Sequence, residues 1–203
     1  VSYRPKLIAT DLDGTICPHD KPISIKTIET LTRAHESGVI VFFVTGRPPR
    51  WMKQIKEAFY FGQAICSNGA MLWDIQGERV IEEWRITPAD LRETITRLRK
   101  ALPEVHFAFE NHGEFRREKK YIARWDVGVD NEGMDDVLDH IENGAVKLLV
   151  RGSDKLFNSD ELLEVAHKVV GDIVTVTHSN PWESLLEISA HGVTKGDTLA
   201  TLC

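Results

Sequence analysis

Cysteine is scarce in this chain: 203 residues carry only three, Cys17, Cys66 and Cys203, an odd number without paired spacing. That excludes a disulfide-built scaffold and points to a reduced, cytoplasmic setting. Long apolar runs are missing as well. The longest, Val39 to Val44, falls far short of a membrane span and reads as a buried strand. The first residues run straight into a strand pattern, so no secretory leader is expected. Basic charge is not in excess either, with 25 Lys and Arg against 31 Asp and Glu, a net charge of -6. A general nucleic-acid binder needs the opposite balance. A small phosphorylated molecule needs only a few local donors and is not excluded. Internal repeats and low-complexity segments are absent, which sets aside solenoids and linkers.

What the chain does have is a composition of 42% hydrophobic and 28% charged residues, as in a soluble globular protein. Its length allows one large domain or two small ones. The most informative stretch is Lys6-Leu-Ile-Ala-Thr-Asp11-Leu-Asp13-Gly14-Thr15. A short apolar run ends on two carboxylates one residue apart, and a glycine follows. Two acids at the end of a buried strand are costly unless something uses their charge. A divalent metal and a phosphoryl group would both use it.

The first segment alternates strands and helices. Ser24 is placed to cap a helix that carries Ile25, Ile28 and Leu31 on one side and ends at Gly38. Val39 to Val44 is apolar throughout, as in strands covered on both faces. Thr45-Gly46-Arg47 ends it, a helix is expected from about residue 50 to 59, and Ala64-Ile65-Cys66 forms a third strand before Ser67-Asn68-Gly69. This rhythm predicts an α/β fold with a doubly wound, Rossmann-like parallel sheet. From Trp73 the rhythm changes. Residues 71–86 read as a hairpin around Gly77, and Thr87-Pro88 opens a helix. Strands are expected at 105–109, 146–150, 173–177 and 185–188, and helices at 134–141 and 159–170. The acidic stretch 126–139 reads as a solvated surface or loop. The expected division is a core of residues 1–72 and 190–203 with an inserted α+β module of residues 73–189. Thr194 and Asp197 have the spacing of a capping box, so a last helix begins near Lys195. The chain ends at Cys203 before that helix is capped and reads as cut within an element.

Polar groups mark three strand ends: Asp11 with Asp13, Thr45 with Gly46, and Asn68 with Gly69. Ligands of open α/β sheets bind at the carboxyl edge of the strands. There Asp11 has the chemistry to attack phosphorus, giving an aspartyl phosphate. Asp13 has the chemistry to protonate the leaving oxygen and then to activate water. Gly14 lets the backbone turn. The Thr45 hydroxyl and Gly46 amide suit a phosphate oxygen, and Lys195 at a helix start adds positive charge. Arg47 reads equally as a substrate contact or a salt bridge, and Asn68 as a site residue or a turn residue. Alone, an Asp-x-Asp after a strand is usually a turn. The ordered set carries the argument.

That set, Asp11-Leu-Asp13-Gly14-Thr15, Thr45-Gly46-Arg47, Ser67-Asn68-Gly69-Ala70 and Gly192-Val-Thr-Lys195-Gly196, resembles the haloacid dehalogenase superfamily. Order and spacing are similar to its Cof-like phosphatase branch, which carries a large α/β cap. The resemblance implies Asp11 as nucleophile, Asp13 as acid/base, and Thr45 and Lys195 on the phosphate. It also implies Mg²⁺ on the Asp11 carboxylate and the Asp13 backbone carbonyl. The implied reaction is phosphatase action on small phosphorylated metabolites such as sugar phosphates. A phosphomutase and a non-catalytic fragment or binding module stay open as alternatives. Cof-like enzymes carry a further acidic motif, Gly-Asp then Asn-Asp, after the helix that Lys195 begins, and this sequence stops before it. Asp135-Asp136 is no substitute, because no buried strand precedes it. The core is therefore expected to be incomplete at its C-terminal end. Oligomeric state is not legible.

Overall fold

The structure, a computed structural model, describes residues 5–203. The chain forms two compact units, one of residues through Glu83 together with Lys195–Cys203, the other of Trp84–Thr194. The divisions expected from sequence were 72/73 and 189/190. No helix among the described residues is long and apolar enough to cross a membrane.

The first unit is a five-stranded sheet with spatial order β1-β2-β3-β4-β5. Its strands are β1 (Leu7–Asp11), β2 (Ile40–Val44), β3 (Gln63–Cys66), β4 (Met71–Asp74) and β5 (Arg79–Glu83). The first three run parallel, and the β4–β5 hairpin adds antiparallel to β3. Four of the five β2 residues are buried, as an all-apolar strand requires. Helix α1 (Ile25–Glu36) follows the loop after β1, and the Ser24 hydroxyl caps it by accepting from the Thr27 amide at 3.1 Å. Gly38, at φ +87, turns the chain out of it. The single helix expected over 50–59 is instead a 3₁₀ turn, Pro49–Trp51, followed by α2 (Lys53–Ala58). Pro48 and Pro49 cause the split: the Trp51 and Met52 amides bond three residues back, to the two proline carbonyls. Phe43, Ile55, Phe59 and Ile65 fill the interior beside this sheet.

The second unit packs two helices on one face of an antiparallel sheet. The helices are α3 (Pro88–Ala101) and α4 (Ser159–Val170). The Thr87 hydroxyl caps α3, and a reciprocal Asn158–Glu161 capping box opens α4. The strands are β6 (His106–Glu110), β7 (Phe115–Arg117), β8 (Lys147–Arg151), β9 (Val174–Thr177) and β10 (Leu185–Ala190), in the order β7-β6-β8-β10-β9. Phe107, Phe109, Leu148, Val150, Leu186 and Ile188 join the helices' Leu91, Ile95, Leu98 and Leu162 in one core. The alternate strand positions carry Ala108, Leu149 and Leu185, covered by Phe115 and Tyr121 with Trp125 against them.

Strand β7 was not anticipated, and the helix expected at 134–141 is only a 3₁₀ turn, Val137–His140. Met134 is already committed elsewhere: its amide donates to the Arg117 carbonyl and its carbonyl accepts from Lys119. The Asp136 carboxylate then caps the turn by accepting from the Leu138 amide at 2.8 Å. The chain re-enters the first unit as α5 (Lys195–Leu202).

Candidate active site

The first unit gathers three loops at one sheet edge, because its parallel strands end in register. Asp11 pairs with Val44, and Val44 with Ile65. In the first loop the Leu12 carbonyl accepts from the amides of Thr15, Ile16 and Cys17 at 3.1, 3.1 and 2.8 Å. Leu12 is fully buried, and the acids on either side of it are turned outward. Gly14 sits at φ +73 with open space where a Cβ would be, so backbone conformation rather than crowding favours glycine.

The second and third loops are stitched together by main-chain bonds. The Thr45 amide donates to the Ile65 carbonyl at 2.8 Å, the Asn68 amide to the Thr45 carbonyl at 3.1 Å, and the Ser67 amide to the Arg47 carbonyl at 3.0 Å. Thr45 is buried, and its hydroxyl accepts from the Arg47 amide at 3.1 Å. Gly46 lies between these two. Ser67 and Asn68 have φ of 51 and 61, a left-handed conformation that is strained for non-glycine residues. The bonds just named are what hold it.

Helix α5 completes the arrangement. The Lys195 ammonium donates to Asp11 Oδ1 at 2.7 Å. Thr198, one turn on and on the same face, donates its hydroxyl to the Gly69 carbonyl at 2.8 Å. Thus α5 rests on the third loop and reaches the first. Thr198 was not singled out in the sequence, although its three-residue spacing from Lys195 was available.

Arg47 occupies the other carboxylate. Its Nε donates to both Asp13 oxygens, at 3.1 and 3.0 Å, and Nη2 donates to Oδ1. Its Nη1 reaches the Trp51 carbonyl at 3.5 Å. The hydrogen bond to Asp13 pushes the Arg47 guanidinium above its ordinary value, against the opposing effect of burial. Cys17, next to this loop, is buried, and burial pushes its thiol up, away from reactivity. Each acid therefore has its own cation: Asp11 with Lys195, Asp13 with Arg47. All four side chains keep some exposure, 41% for Asp11, 42% for Lys195, 49% for Asp13 and 19% for Arg47.

The oxygen donors here, carboxylate and main-chain carbonyl, are the hard type that Mg²⁺ takes. Among the described residues no three His, Cys, Asp or Glu side chains gather around one point. Mg²⁺ keeps several waters, so two protein donors are compatible with it. Asp135 and Asp136 belong to the second unit, where they pair with Lys119 and Arg99.

The chain belongs to the haloacid dehalogenase-like hydrolase family, whose model matches residues 8–203. It is 37% identical to the pyridoxal phosphate phosphatase YbhA of Escherichia coli (strain K12) over 78 residues, 38% of this chain and 29% of that protein. It is 49% identical to the 5-amino-6-(5-phospho-D-ribitylamino)uracil phosphatase YitU of Bacillus subtilis (strain 168) over 70 residues, 34% of this chain and 26% of that protein. The chain thus aligns with less than a third of the length of these curated relatives. In fold it is similar to a haloalkanoate dehalogenase superfamily phosphatase from Bacteroides thetaiotaomicron. The TM-score is 0.79 at 20% identity, covering 99% of this chain and 72% of that one. The family and fold resemblance expressed by the four motifs agrees with these findings.

Proposed function

We propose that the chain carries the phosphoryl-transfer centre of a Mg²⁺-dependent phosphatase acting on small phosphorylated metabolites. The observation that carries this reading is the Lys195–Asp11 pair, which closes at 2.7 Å across 184 residues of sequence. Asp11 Oδ attacks phosphorus while the bond to the leaving oxygen breaks, giving an aspartyl phosphate. Asp13 supplies the proton that the leaving oxygen takes. It then accepts one from the water that hydrolyses the aspartyl phosphate, which frees Asp11 and releases phosphate. Lys195 balances Asp11 at rest and the phosphate oxygens during transfer. The Thr45 hydroxyl and the Gly46 amide bind a phosphate oxygen. Asn68, held in its strained turn at the same edge, is a substrate contact. The Asp11 carboxylate and the Asp13 carbonyl are the groups that would hold Mg²⁺, which supplies charge neutralisation to the phosphoryl group when bound.

The two curated relatives, both phosphatases of phosphorylated small molecules, support this substrate class. Sugar phosphates rest on family resemblance alone. Three free cysteines support a reducing, cytoplasmic setting. The test is release of inorganic phosphate from 4-nitrophenyl phosphate, with and without Mg²⁺, by the full-length protein and its Asp11→Asn variant. Mg²⁺-dependent release that disappears in the variant supports the reading, and an unchanged kcat in the variant removes Asp11 as nucleophile. Transfer between two positions of a sugar without net release would make the protein a phosphomutase. Phosphate binding without either activity would make it a binding module.

A further inference from the structure

We propose that Arg47 is a positioning residue that acts through Asp13: it fixes the carboxylate that serves the leaving oxygen, and it does not itself hold the phosphate. The proposal rests on the reading of Asp13 as acid/base given above. Asp13 lies on a loop and is 49% exposed, so nothing in its own packing selects one side-chain orientation. Arg47 supplies that selection. Its Nε bridges both carboxylate oxygens, at 3.1 and 3.0 Å, and Nη2 adds a second prong on Oδ1. A planar guanidinium fork matches a carboxylate in this way, and a lysine ammonium does not.

An ordinary surface ion pair contributes little, because two long side chains must both be ordered. Arg47 differs in being held already. Its side chain is only 19% exposed, its amide is bonded to Thr45 Oγ1, its carbonyl accepts from Ser67, and Nη1 rests on the Trp51 carbonyl. All three guanidinium nitrogens are engaged with Asp13 or Trp51. Asp11 has Lys195 instead. The two cations therefore divide the work: one faces the attacking carboxylate, the other fixes the carboxylate that serves the departing oxygen.

Leaving-group chemistry separates this role from phosphate binding. A 4-nitrophenolate departs without a proton, whereas an alkoxide needs one. Arg47→Ala should therefore lower kcat/KM, which reports the transfer step and not the later hydrolysis that Asp13 also serves, about tenfold or more further on an alkyl phosphate than on 4-nitrophenyl phosphate. Asp13→Asn should show the same substrate pattern, with a loss of about two to four orders of magnitude on the alkyl phosphate. Arg47→Ala added to Asp13→Asn should cost nothing further on that substrate, since the residue it acts through is gone. Arg47→Lys should recover only part of the alkyl-phosphate kcat. A raised KM on both substrates with kcat intact would make Arg47 a phosphate ligand and overturn the proposal. An equal fall in kcat/KM on both would make it merely structural and overturn it too.

If the wild-type protein hydrolyses neither substrate, the phosphatase reading fails, and the grip on Asp13 is still read without turnover. The Arg47 Nε–H should exchange slowly with solvent in ¹⁵N spectra of the wild type and rapidly in Asp13→Asn. Equal exchange in the two proteins would show that no grip exists.

Discussion

The two units place their charges in opposite ways. In the first, two ion pairs at the sheet edge, Asp11 with Lys195 and Asp13 with Arg47, stay partly open to water. In the second, one cluster of charges sits within strands and is largely buried. Lys147 on β8 bonds Glu187 on β10 at 2.8 Å, with side-chain exposures of 6% and 12%. Arg151 on β8 and Glu110 on β6 are buried on the same face of that sheet, and the Arg151 guanidinium lies 5.3 Å from the Trp125 ring and 5.7 Å from the Tyr121 ring. An ion pair that water can reach is cheap to break and re-form, which suits groups that must trade partners during a reaction. A buried pair is costly to break and fixes the geometry of the sheet around it. The same chemistry, carboxylate against cation, thus stays open to water in one unit and is built into the sheet in the other.

Substitutions test that contrast. The largest effect should be Asp11→Asn, which should cost at least about three orders of magnitude in kcat while leaving stability within about 1 kcal/mol. A matching loss of stability would show that Asp11 is architectural after all. Lys147→Met should do the reverse. It leaves Glu187 buried without its ammonium and should cost about 3–5 kcal/mol in urea denaturation. Replacing both partners, Lys147→Met with Glu187→Leu, should return most of that. A single-variant loss under about 1 kcal/mol would remove the contrast from the second unit.

The sequence exposed these two regions unequally, for a physical reason. Strand-end acids, glycines and a helix-start lysine stand out because apolar runs stop at them, so Asp11, Asp13, Thr45 and Lys195 stand out as candidates, and the parallel sheet whose edge carries the first three was legible. The Arg47–Asp13 grip was not, because it depends on side-chain rotamers across two loops. In the second unit, alternation misleads. Lys147 and Arg151 flank Leu148-Leu-Val150 in β8, and charged ends of that kind usually signal solvent, yet all five residues are buried. Strand β7 has only three residues, Phe115-Arg-Arg117, too short for any period to register. The 3₁₀ turn at Val137 was mistaken for a longer helix because the bridge between Glu118 and Met134 is a long-range contact without a local signature.

A smaller effect is expected at Lys195. Lys195→Ala should weaken vanadate or phosphate affinity about tenfold, the scale of one charge-assisted hydrogen bond, and change stability by less than about 1 kcal/mol. Isothermal titration reads the first and urea denaturation the second. Unchanged affinity would separate Lys195 from the phosphate and leave it only as the partner of Asp11.

The smallest effect at neutral pH belongs to Tyr121 in the second unit. Burial pushes its phenol from 10.0 up to about 12, and the nearby Arg151 charge offsets this only in part. The folded state therefore holds the phenolic proton after the unfolded chain has lost it. Stability from this group is fully present below pH 10.0 and falls away as pH rises toward about 12. Tyr121→Phe should remove that alkaline loss, roughly 2–3 kcal/mol over the window, and should change neutral-pH stability by less than about 1 kcal/mol. Urea midpoints compared at pH 9 and pH 11.5 measure it. If wild type and variant lose stability in parallel, the alkaline sensitivity lies elsewhere and Tyr121 is not the buried acid that sets it.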